Sequence, residues 1–311
     1  MRAVHSFSKG IVAIAGAVVF AILTGAPAAA QGPTPCEATA QVIREAARHA
    51  AWQDAWLKVA ICVNDPGCPL PQYLQVILAE LQDDLALAQE QYLARLDVCE
   101  DLGPGRYDPR IDPAEFSAHV DNPYFPLVPG RKLVYEGQKA GHVERSELTA
   151  LDQTAVIDGV TCRVVSDVVT IDDELTEDTL DYYAQHQNQD VWYFGEVSKN
   201  YVDGFLDNLE GSWRSGRSGA KPGIQMLAAP ALDQVYRQEF LVNEAEDIAE
   251  IASLDETVTV SYGTFAHCLV TEESTPLEPD VLSRKYYAPG IGLVLEVDLQ
   301  TGDRIELVDI K

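Results

Sequence analysis

The sequence predicts an α+β protein in which a disulfide-stapled antiparallel helical hairpin precedes an antiparallel β domain. Four of the six cysteines fall within the first hundred residues, and all six lie downstream of a secretory signal. An even cysteine count in an exported chain is typical of a disulfide framework. Residues up to about 102 have the apolar spacing of amphipathic helices, whereas later segments alternate between apolar and polar side chains and are separated by turn residues.

Residues 1–30 have the organisation of a signal peptide. Arg2 and Lys9 supply positive charge, residues 11–23 are apolar, and Ala28-Ala29-Ala30 is a small-residue cleavage motif. The residues before the first mature cysteine do not form a lipobox, so we expect no lipid or membrane anchor. The sequence therefore predicts a protein that is secreted to the periplasm or the extracellular space.

The chain is strongly acidic. Its formal charge is −27, and loss of the two basic residues of the signal peptide would make it −29. Such a charge repels nucleic acid and anionic lipid, so we expect no nucleic-acid partner. It would attract divalent cations or basic partners, although a solvated acidic surface explains it equally well.

Residues 35–102 form the predicted hairpin domain. Helix one is expected over 37–63 and helix two over 72–99, and the segment between them, 64–71, is rich in Asp, Pro and Gly. Two helices joined in this way fold back antiparallel, which brings the cysteines together at the turn and at the open end. The predicted disulfides are Cys62–Cys68 and Cys36–Cys99. An isolated helical hairpin is a poor folder, which explains the need for covalent staples.

Residues 108–311 form the predicted antiparallel β domain, which is a barrel, half-barrel or curved sheet. A capping-box pattern at Asp112–Glu115 predicts a short helix that ends near Val120. The expected strands are 132–136, 143–151, 161–171, 179–185, 191–194, 235–241, 248–253, 257–261, 267–271, 283–287, 293–297 and 304–308. Cys162 and Cys268 each follow a glycine turn at the start of a similar strand, and we expect a third disulfide, Cys162–Cys268.

Four runs within residues 110–300 resemble a family of uncharacterised secreted bacterial proteins. They are DNPYFPLVPG at 121–130, VWYFGE at 191–196, TPLEP at 275–279 and YYAPGIGLV at 286–294. The first and last runs are also similar to those of periplasmic lipoprotein-like β domains, in which a curved antiparallel sheet encloses a groove. The resemblance implies such a groove but assigns no catalytic residue. The absence of a lipid-anchor cysteine departs from the lipoprotein pattern.

An acidic run could supply oxygen ligands to a hard cation such as calcium. It lacks the spacing of an EF-type loop, and a solvated hairpin is the alternative. Its candidate metal ligands are Asp172, Asp173, Glu174, Glu177 and Asp178. Calcium is the one cofactor that the sequence suggests.

The glycine-rich segment 211–223 is cationic within this acidic chain, which favours an anionic ligand. The alternative is a loop that docks on an acidic patch of the same molecule. Its candidate ligand-binding residues are Trp213, Arg214, Arg217 and Lys221. On the predicted strand 191–194, Trp192 and Phe194 share one face and could line an apolar groove, or could be ordinary core.

No H-E-x-x-H or G-x-S-x-G motif is present. Asp181 and Glu196 could form the pair of carboxylates that a glycosidase requires. The function that the sequence favours is a secreted, non-enzymatic binding protein. Its β domain would hold a small apolar or amphipathic ligand or a protein partner, and the hairpin would extend or cover that surface. The alternatives are an extracytoplasmic hydrolase that uses Asp181 and Glu196, and an acidic protein that binds divalent cations.

Overall fold

Two long helices open the part of the chain that the computed structural model describes, residues 32–311. Helix α1 spans Pro35–Asn64 and helix α2 spans Leu70–Leu102. They form the predicted antiparallel hairpin, and both are a few residues longer than the sequence pattern indicated. The predicted signal peptide, residues 1–30, lies outside the described residues. Neither helix in the described range has the length and apolarity that a membrane span requires.

Local sequence determines where α1 begins and how the hairpin turns. The Thr34 hydroxyl accepts a hydrogen bond from the Glu37 N–H, and the Glu37 carboxylate accepts one from the Thr34 N–H, which completes a capping box. In the turn, the Asp65 carboxylate accepts a hydrogen bond from the Gly67 N–H. Between the helices, Ala51 and Ala55 pack against Ile77 and Leu81.

Both predicted staples of the hairpin are confirmed. Cys36 and Cys99 are bonded at its open end, with their Cα atoms 5.8 Å apart. Cys62 and Cys68 are bonded across the turn, with their Cα atoms 5.3 Å apart. The hairpin is therefore covalently closed at both ends.

The rest of the described chain is a large antiparallel sheet, which confirms the predicted α+β class. Its strands are β1 Phe116–Ser117, β2 Lys132–Lys139, β3 His142–Ile157, β4 Val160–Ile171, β5 Glu174–His186, β6 Val191–Val202, β7 Phe205–Asn208, β8 Trp213–Arg214, β9 Lys221–Met226, β10 Val235–Arg237, β11 Glu239–Phe240, β12 Ile248–Val260, β13 Gly263–Thr275, β14 Glu278–Ala288, β15 Gly292–Asp298 and β16 Arg304–Ile310.

The main path of hydrogen-bonded strands runs β10-β12-β13-β14-β15-β16-β2-β3-β4-β5-β6-β9-β11. Strand β1 pairs with β5, and β7 and β8 both pair with β6. The two ends of this path are adjacent in sequence, because only Gln238 separates β10 from β11. Residues 235–240 thus pair with β12 on one side and with β9 on the other, and they bring the two ends of the sheet together. The result is a nearly closed, barrel-like sheet.

Some local expectations about the β domain were wrong. The capping residue Asp112 starts only a 3-10 turn, Pro113–Glu115, because the chain then pairs as β1 with β5 instead of continuing as a helix to Val120. Segments 248–253 and 257–261 are one strand, β12, interrupted by register shifts. Strands β7, β8 and β9 were not expected, because 205–226 is rich in glycine and polar residues.

Side chains from strands all around the sheet meet in its interior. This interior core includes Val165, Tyr183, Tyr193, Ile251, Leu269 and Tyr287. A second core lies on the other side of β4, β5 and β6, where Cys162, Tyr182 and Phe194 pack together with Phe116.

The predicted Cys162–Cys268 disulfide is wrong. Both residues are buried free thiols. Cys162 lies on β4, whose neighbours are β3 and β5, and Cys268 lies on β13, whose neighbours are β12 and β14. Cys162 belongs to the second core, whereas Cys268 belongs to a third cluster with Leu133, Val294 and Leu307. The resemblance between their strands therefore does not bring them into contact.

The hairpin packs on the sheet through the second half of α2. Residues Thr34–Lys311 form one compact unit. The Gln91 side-chain amide donates a hydrogen bond to the Leu277 carbonyl at 2.8 Å, and Arg95 forms a salt bridge with Glu246. These contacts leave a pocket between the helices and the sheet.

Candidate functional site

The two carboxylates singled out in the sequence are cross-strand neighbours. Asp181 on β5 lies directly opposite Glu196 on β6. Asp181 is buried, and its carboxylate accepts a hydrogen bond of 2.7 Å from the Tyr193 hydroxyl. The fold therefore brings together the pair that the sequence could only suggest.

Burial raises the pKa of several acids in this region. It raises the pKa of Asp181 to about 7, and burial together with the charge of Asp181 raises the pKa of Glu196 to about 9. Burial and the neighbouring Asp247 raise the pKa of Glu239 to about 8. Glu196 and Glu239 are therefore mainly protonated at neutral pH, because the interior disfavours their charged forms.

A cavity of about 250 Å³ lies beside Glu196. Trp213, Arg214 and Arg217 also line it, so four of the sequence-predicted site residues meet there. Asp181 does not line this cavity. A glycosidase needs both carboxylates to reach the same bond, and this cavity presents only one of them.

Contacts within the chain occupy most of the cationic segment 211–223. The Trp213 indole N–H donates a hydrogen bond of 2.7 Å to the buried Glu239 carboxyl. The Lys221 ammonium lies 2.7 Å from the Asp108 carboxylate, and the Ser215 hydroxyl donates to Asp158 at 2.9 Å. These contacts are those expected of a loop that docks on acidic residues of its own chain.

The other candidate residues lie apart from this cavity. Trp192 and Phe194 face away from the interior and pack against Phe116, with ring centroids 6.0 and 5.3 Å away. They are therefore part of the second core, and they do not line an open groove.

The acidic residues at 172–178 do not come together at one site, because their side chains make separate contacts. Asp172 contacts His142 at 2.7 Å, and Asp178 pairs with Lys199 at 2.7 Å. The Glu177 carboxylate accepts a hydrogen bond from the Thr179 hydroxyl. Asp173 is exposed in the turn before β5, and Glu174 is exposed at the first position of β5. Within residues 32–311, no three His, Cys, Asp or Glu side chains are grouped to hold a metal ion.

A larger pocket, which we call the seam pocket, lies between the open end of the hairpin and the sheet. Its volume is about 320 Å³, at the small end of the range for small-molecule sites. The hairpin side is mainly apolar and includes the bonded cysteines: Cys36, Ala40, Ile43, Arg95, Cys99 and Leu102. The opposite side is formed by Arg106, Tyr107, Arg237, Phe240, Val242 and Glu246.

Segment 235–240, which closes the sheet, also carries the polar centre of this pocket. The Arg237 guanidinium lies over two aromatic rings, 5.0 Å from the centroid of Phe240 and 5.5 Å from that of Tyr107. Burial lowers the pKa of Arg237. Among the described residues, its Nη1 atom is buried without a hydrogen-bond partner.

Glu246 forms no salt bridge with Arg237, although its charge opposes the lowering of the Arg237 pKa by burial. Its carboxylate is held by Arg95, with Nε 2.8 Å from one oxygen and Nη2 3.0 Å from the other. It also accepts a hydrogen bond of 2.6 Å from the Asn243 N–H. Glu246 is thus engaged by Arg95, and the guanidinium of Arg237 is left without a salt bridge within residues 32–311.

Sequence reasoning missed the seam pocket. Arg95 is buried on α2, and Arg237 lies in the predicted strand 235–241, to which the sequence analysis assigns no site. An arginine at a position where the periodicity requires an apolar residue is the signal that could have drawn attention to both.

Comparisons with known proteins add little. No protein-family model matches the chain, and no curated protein matches it. The chain is similar to a crystal structure of a candidate lipoprotein from Parabacteroides distasonis, with 13% sequence identity and a TM-score of 0.34. That match covers 60% of this chain and 98% of the other. A similarity this weak carries no argument about function, so the site must be interpreted from its own geometry.

Proposed function

We propose that the protein is an extracytoplasmic binding protein that holds a small amphipathic ligand in the seam pocket. The observation that carries the proposal is the composition of this pocket. Apolar side chains from two separate parts of the fold enclose it, and a few convergent polar groups lie at one side. This combination is characteristic of small-molecule sites.

The hairpin acts as the cover of the pocket. The Cys36–Cys99 bond lies at the pocket wall and fixes the open end of the hairpin. The Arg95–Glu246 salt bridge holds the same end of α2 to the sheet. Because both constraints act before a ligand arrives, little ordering entropy is lost on binding. The two disulfides also agree with an oxidising, extracytoplasmic location.

The test asks whether a bulky side chain placed in the pocket prevents an uncharged amphiphile from binding. Decanol binding is measured by calorimetry on the wild-type protein, on Thr39→Trp and on Val42→Trp. Thr39 is exposed on α1 and lines the pocket, whereas Val42 is also exposed on the same helix and does not line it. We expect Thr39→Trp to weaken decanol binding at least ten-fold and Val42→Trp to leave it unchanged.

Equal binding by all three proteins would place the ligand elsewhere, and a wild-type protein that binds neither decanol nor its anionic analogue decanoate would refute the proposed function. Circular dichroism and thermal melting establish that both variants are folded. In parallel, denaturation of protein purified from its natural host, followed by organic extraction and mass spectrometry, should release a small amphipathic molecule in near-stoichiometric amount.

A further inference from the structure

We infer that the ligand of the seam pocket carries an anionic head group, a carboxylate or a phosphate, and that the Arg237 guanidinium binds it. The inference depends on the function proposed above, since it names the chemical class of the ligand in that same pocket. It rests on the position of Arg237, on the charges around it and on the cost of burying a cation.

The aromatic rings fix the guanidinium without satisfying its N–H groups. The ring centroids of Tyr107 and Phe240 lie 5.3 Å apart, and the guanidinium of Arg237 lies over both rings. The Tyr107 hydroxyl donates a hydrogen bond of 2.9 Å to the Pro222 carbonyl, which holds its ring in place. Cation–π contacts of this kind orient an arginine but accept none of its hydrogen bonds. Nη1 is therefore buried without an acceptor, on a side chain that lines the pocket.

The charge around the pocket is positive within an acidic protein. Three arginines line it, Arg95, Arg106 and Arg237, against the single carboxylate of Glu246. Because Arg95 binds Glu246 with two hydrogen bonds, that pair is neutral. Arg237 and the exposed Arg106 have no salt bridge to any acid within the described range. The local excess of two positive charges contrasts with the formal charge of −27 of the whole chain.

Arg237 is half-buried, with Nη1 fully buried, and has no salt bridge among the described residues, so a bound anion would offset the cost of withdrawing its charge from water. Burial of a charge without a partner is strongly unfavourable, and the partner most complementary to a guanidinium is a group that offers two oxygens. The apolar wall on the hairpin side would accept the hydrocarbon part of the same molecule. The ligand class that fits both features is an amphiphile with an anionic head, such as a medium-chain carboxylate.

The experiment compares ligands that share one chain and differ only in the head group. Decanoate, decyl phosphate, decanol and decylamine are titrated into the wild-type protein at pH 7.5. We expect either anionic ligand to bind at least ten-fold more tightly than decanol, and decylamine to bind more weakly than decanol.

Variants of the protein then test whether Arg237 is the residue that binds the anionic head group. Arg237→Gln should weaken binding of the anionic ligands at least ten-fold and leave decanol binding within two-fold. The matched control is Arg110→Gln, because Arg110 is exposed and lies outside the pocket. Arg237→Lys keeps the charge but loses the guanidinium fork, and we expect it to recover only part of the affinity for decanoate.

The possible outcomes separate this inference from the proposed function. Suppose that Thr39→Trp prevents decanol binding but the wild type binds decanol and decanoate equally. The pocket is then a ligand site, and Arg237 does not distinguish an anionic from an uncharged head group. If Arg237→Gln weakens decanol as much as decanoate, the residue has only a structural role and the inference is wrong. Should Arg237→Gln fail to fold, the order of the four ligands on the wild type and a fall in decanoate affinity with added salt decide the question.

Discussion

The guanidinium of Arg95 on α2 forms two hydrogen bonds, of 2.8 and 3.0 Å, with the carboxylate of Glu246 between β11 and β12. Both side chains are almost completely buried. This salt bridge joins the helical hairpin to the sheet at the edge of the seam pocket. Together with the hydrogen bond from Gln91 to Leu277, it holds α2 on the sheet.

Arg95→Met should lower the free energy of unfolding by about 3–5 kcal/mol, because Glu246 would remain as a buried charge without a partner. The double variant Arg95→Met/Glu246→Gln should lose much less, since it removes both charges. Urea denaturation gives the values, and Arg48→Met on the exposed face of α1 is the control. A loss below 1 kcal/mol for Arg95→Met would show that the pair does not hold the hairpin.

The two disulfides should differ in their contribution to stability. The Cys36–Cys99 bond closes a loop with a sequence separation of 63, whereas Cys62–Cys68 spans 6. In the chain-entropy model their removal costs about 4 and about 2 kcal/mol. We expect Cys36→Ser/Cys99→Ser to melt at a lower temperature than Cys62→Ser/Cys68→Ser. Because only the first bond lines the seam pocket, only its loss should also weaken decanol binding; a similar loss of binding in both variants would contradict this.

The hairpin could be predicted from sequence because its determinants are local. A turn rich in Pro, Asp and Gly between two apolar stripes leaves one sensible pairing of the four nearby cysteines. The Cys162–Cys268 prediction failed because it required knowledge of strand order. The prediction relied on a local likeness between two strands, whereas β4 pairs with its chain neighbours β3 and β5, and β13, which carries Cys268, pairs with β12 and β14.

The candidate site was only partly predictable. Cross-strand register placed Asp181 opposite Glu196, and the cationic segment brought Trp213 and Arg214 to the same cavity as Glu196. The seam pocket depends instead on how the hairpin packs on segment 235–240, which is a long-range relationship between parts of the chain more than 130 residues apart. Periodicity within one element carries no information about such packing.

Cys162 and Cys268 should behave as inert buried thiols. Burial raises the pKa of Cys162 to about 12 and also raises that of Cys268, so little thiolate is present at neutral pH. We expect the native protein to react with an aromatic disulfide reagent hundreds of times more slowly than free cysteine. Unfolding in guanidinium chloride without reductant should expose two reactive thiols, and addition of reductant should raise the number to the six cysteines of the sequence. No reactive thiol in the unfolded, unreduced mature protein would instead support a third disulfide.

Two buried acids, Asp181 and Glu239, and the half-buried Glu196 should make the protein less stable as the pH rises. The folded-state pKa values of Asp181, Glu239 and Glu196 are about 7, 8 and 9, against ordinary values of 3.8 for Asp and 4.5 for Glu. The folded state therefore holds these protons more tightly than the unfolded state. Their contribution to stability is complete below about pH 4 and is lost as the pH rises through the folded-state values.

Glu239→Gln should reduce this dependence. The amide oxygen can still accept the hydrogen bond from the Trp213 indole, but it has no proton to lose. Between pH 6 and 8 we expect the slope of the unfolding free energy against pH to become shallower by about 1 kcal/mol per pH unit. Urea denaturation at several pH values measures it. Glu210→Gln, at an exposed position three residues before β8, is the control and should leave the slope unchanged. An identical slope in Glu239→Gln and in the wild type would mean that Glu239 is already ionised in the folded protein, and that the interior accommodates its charge.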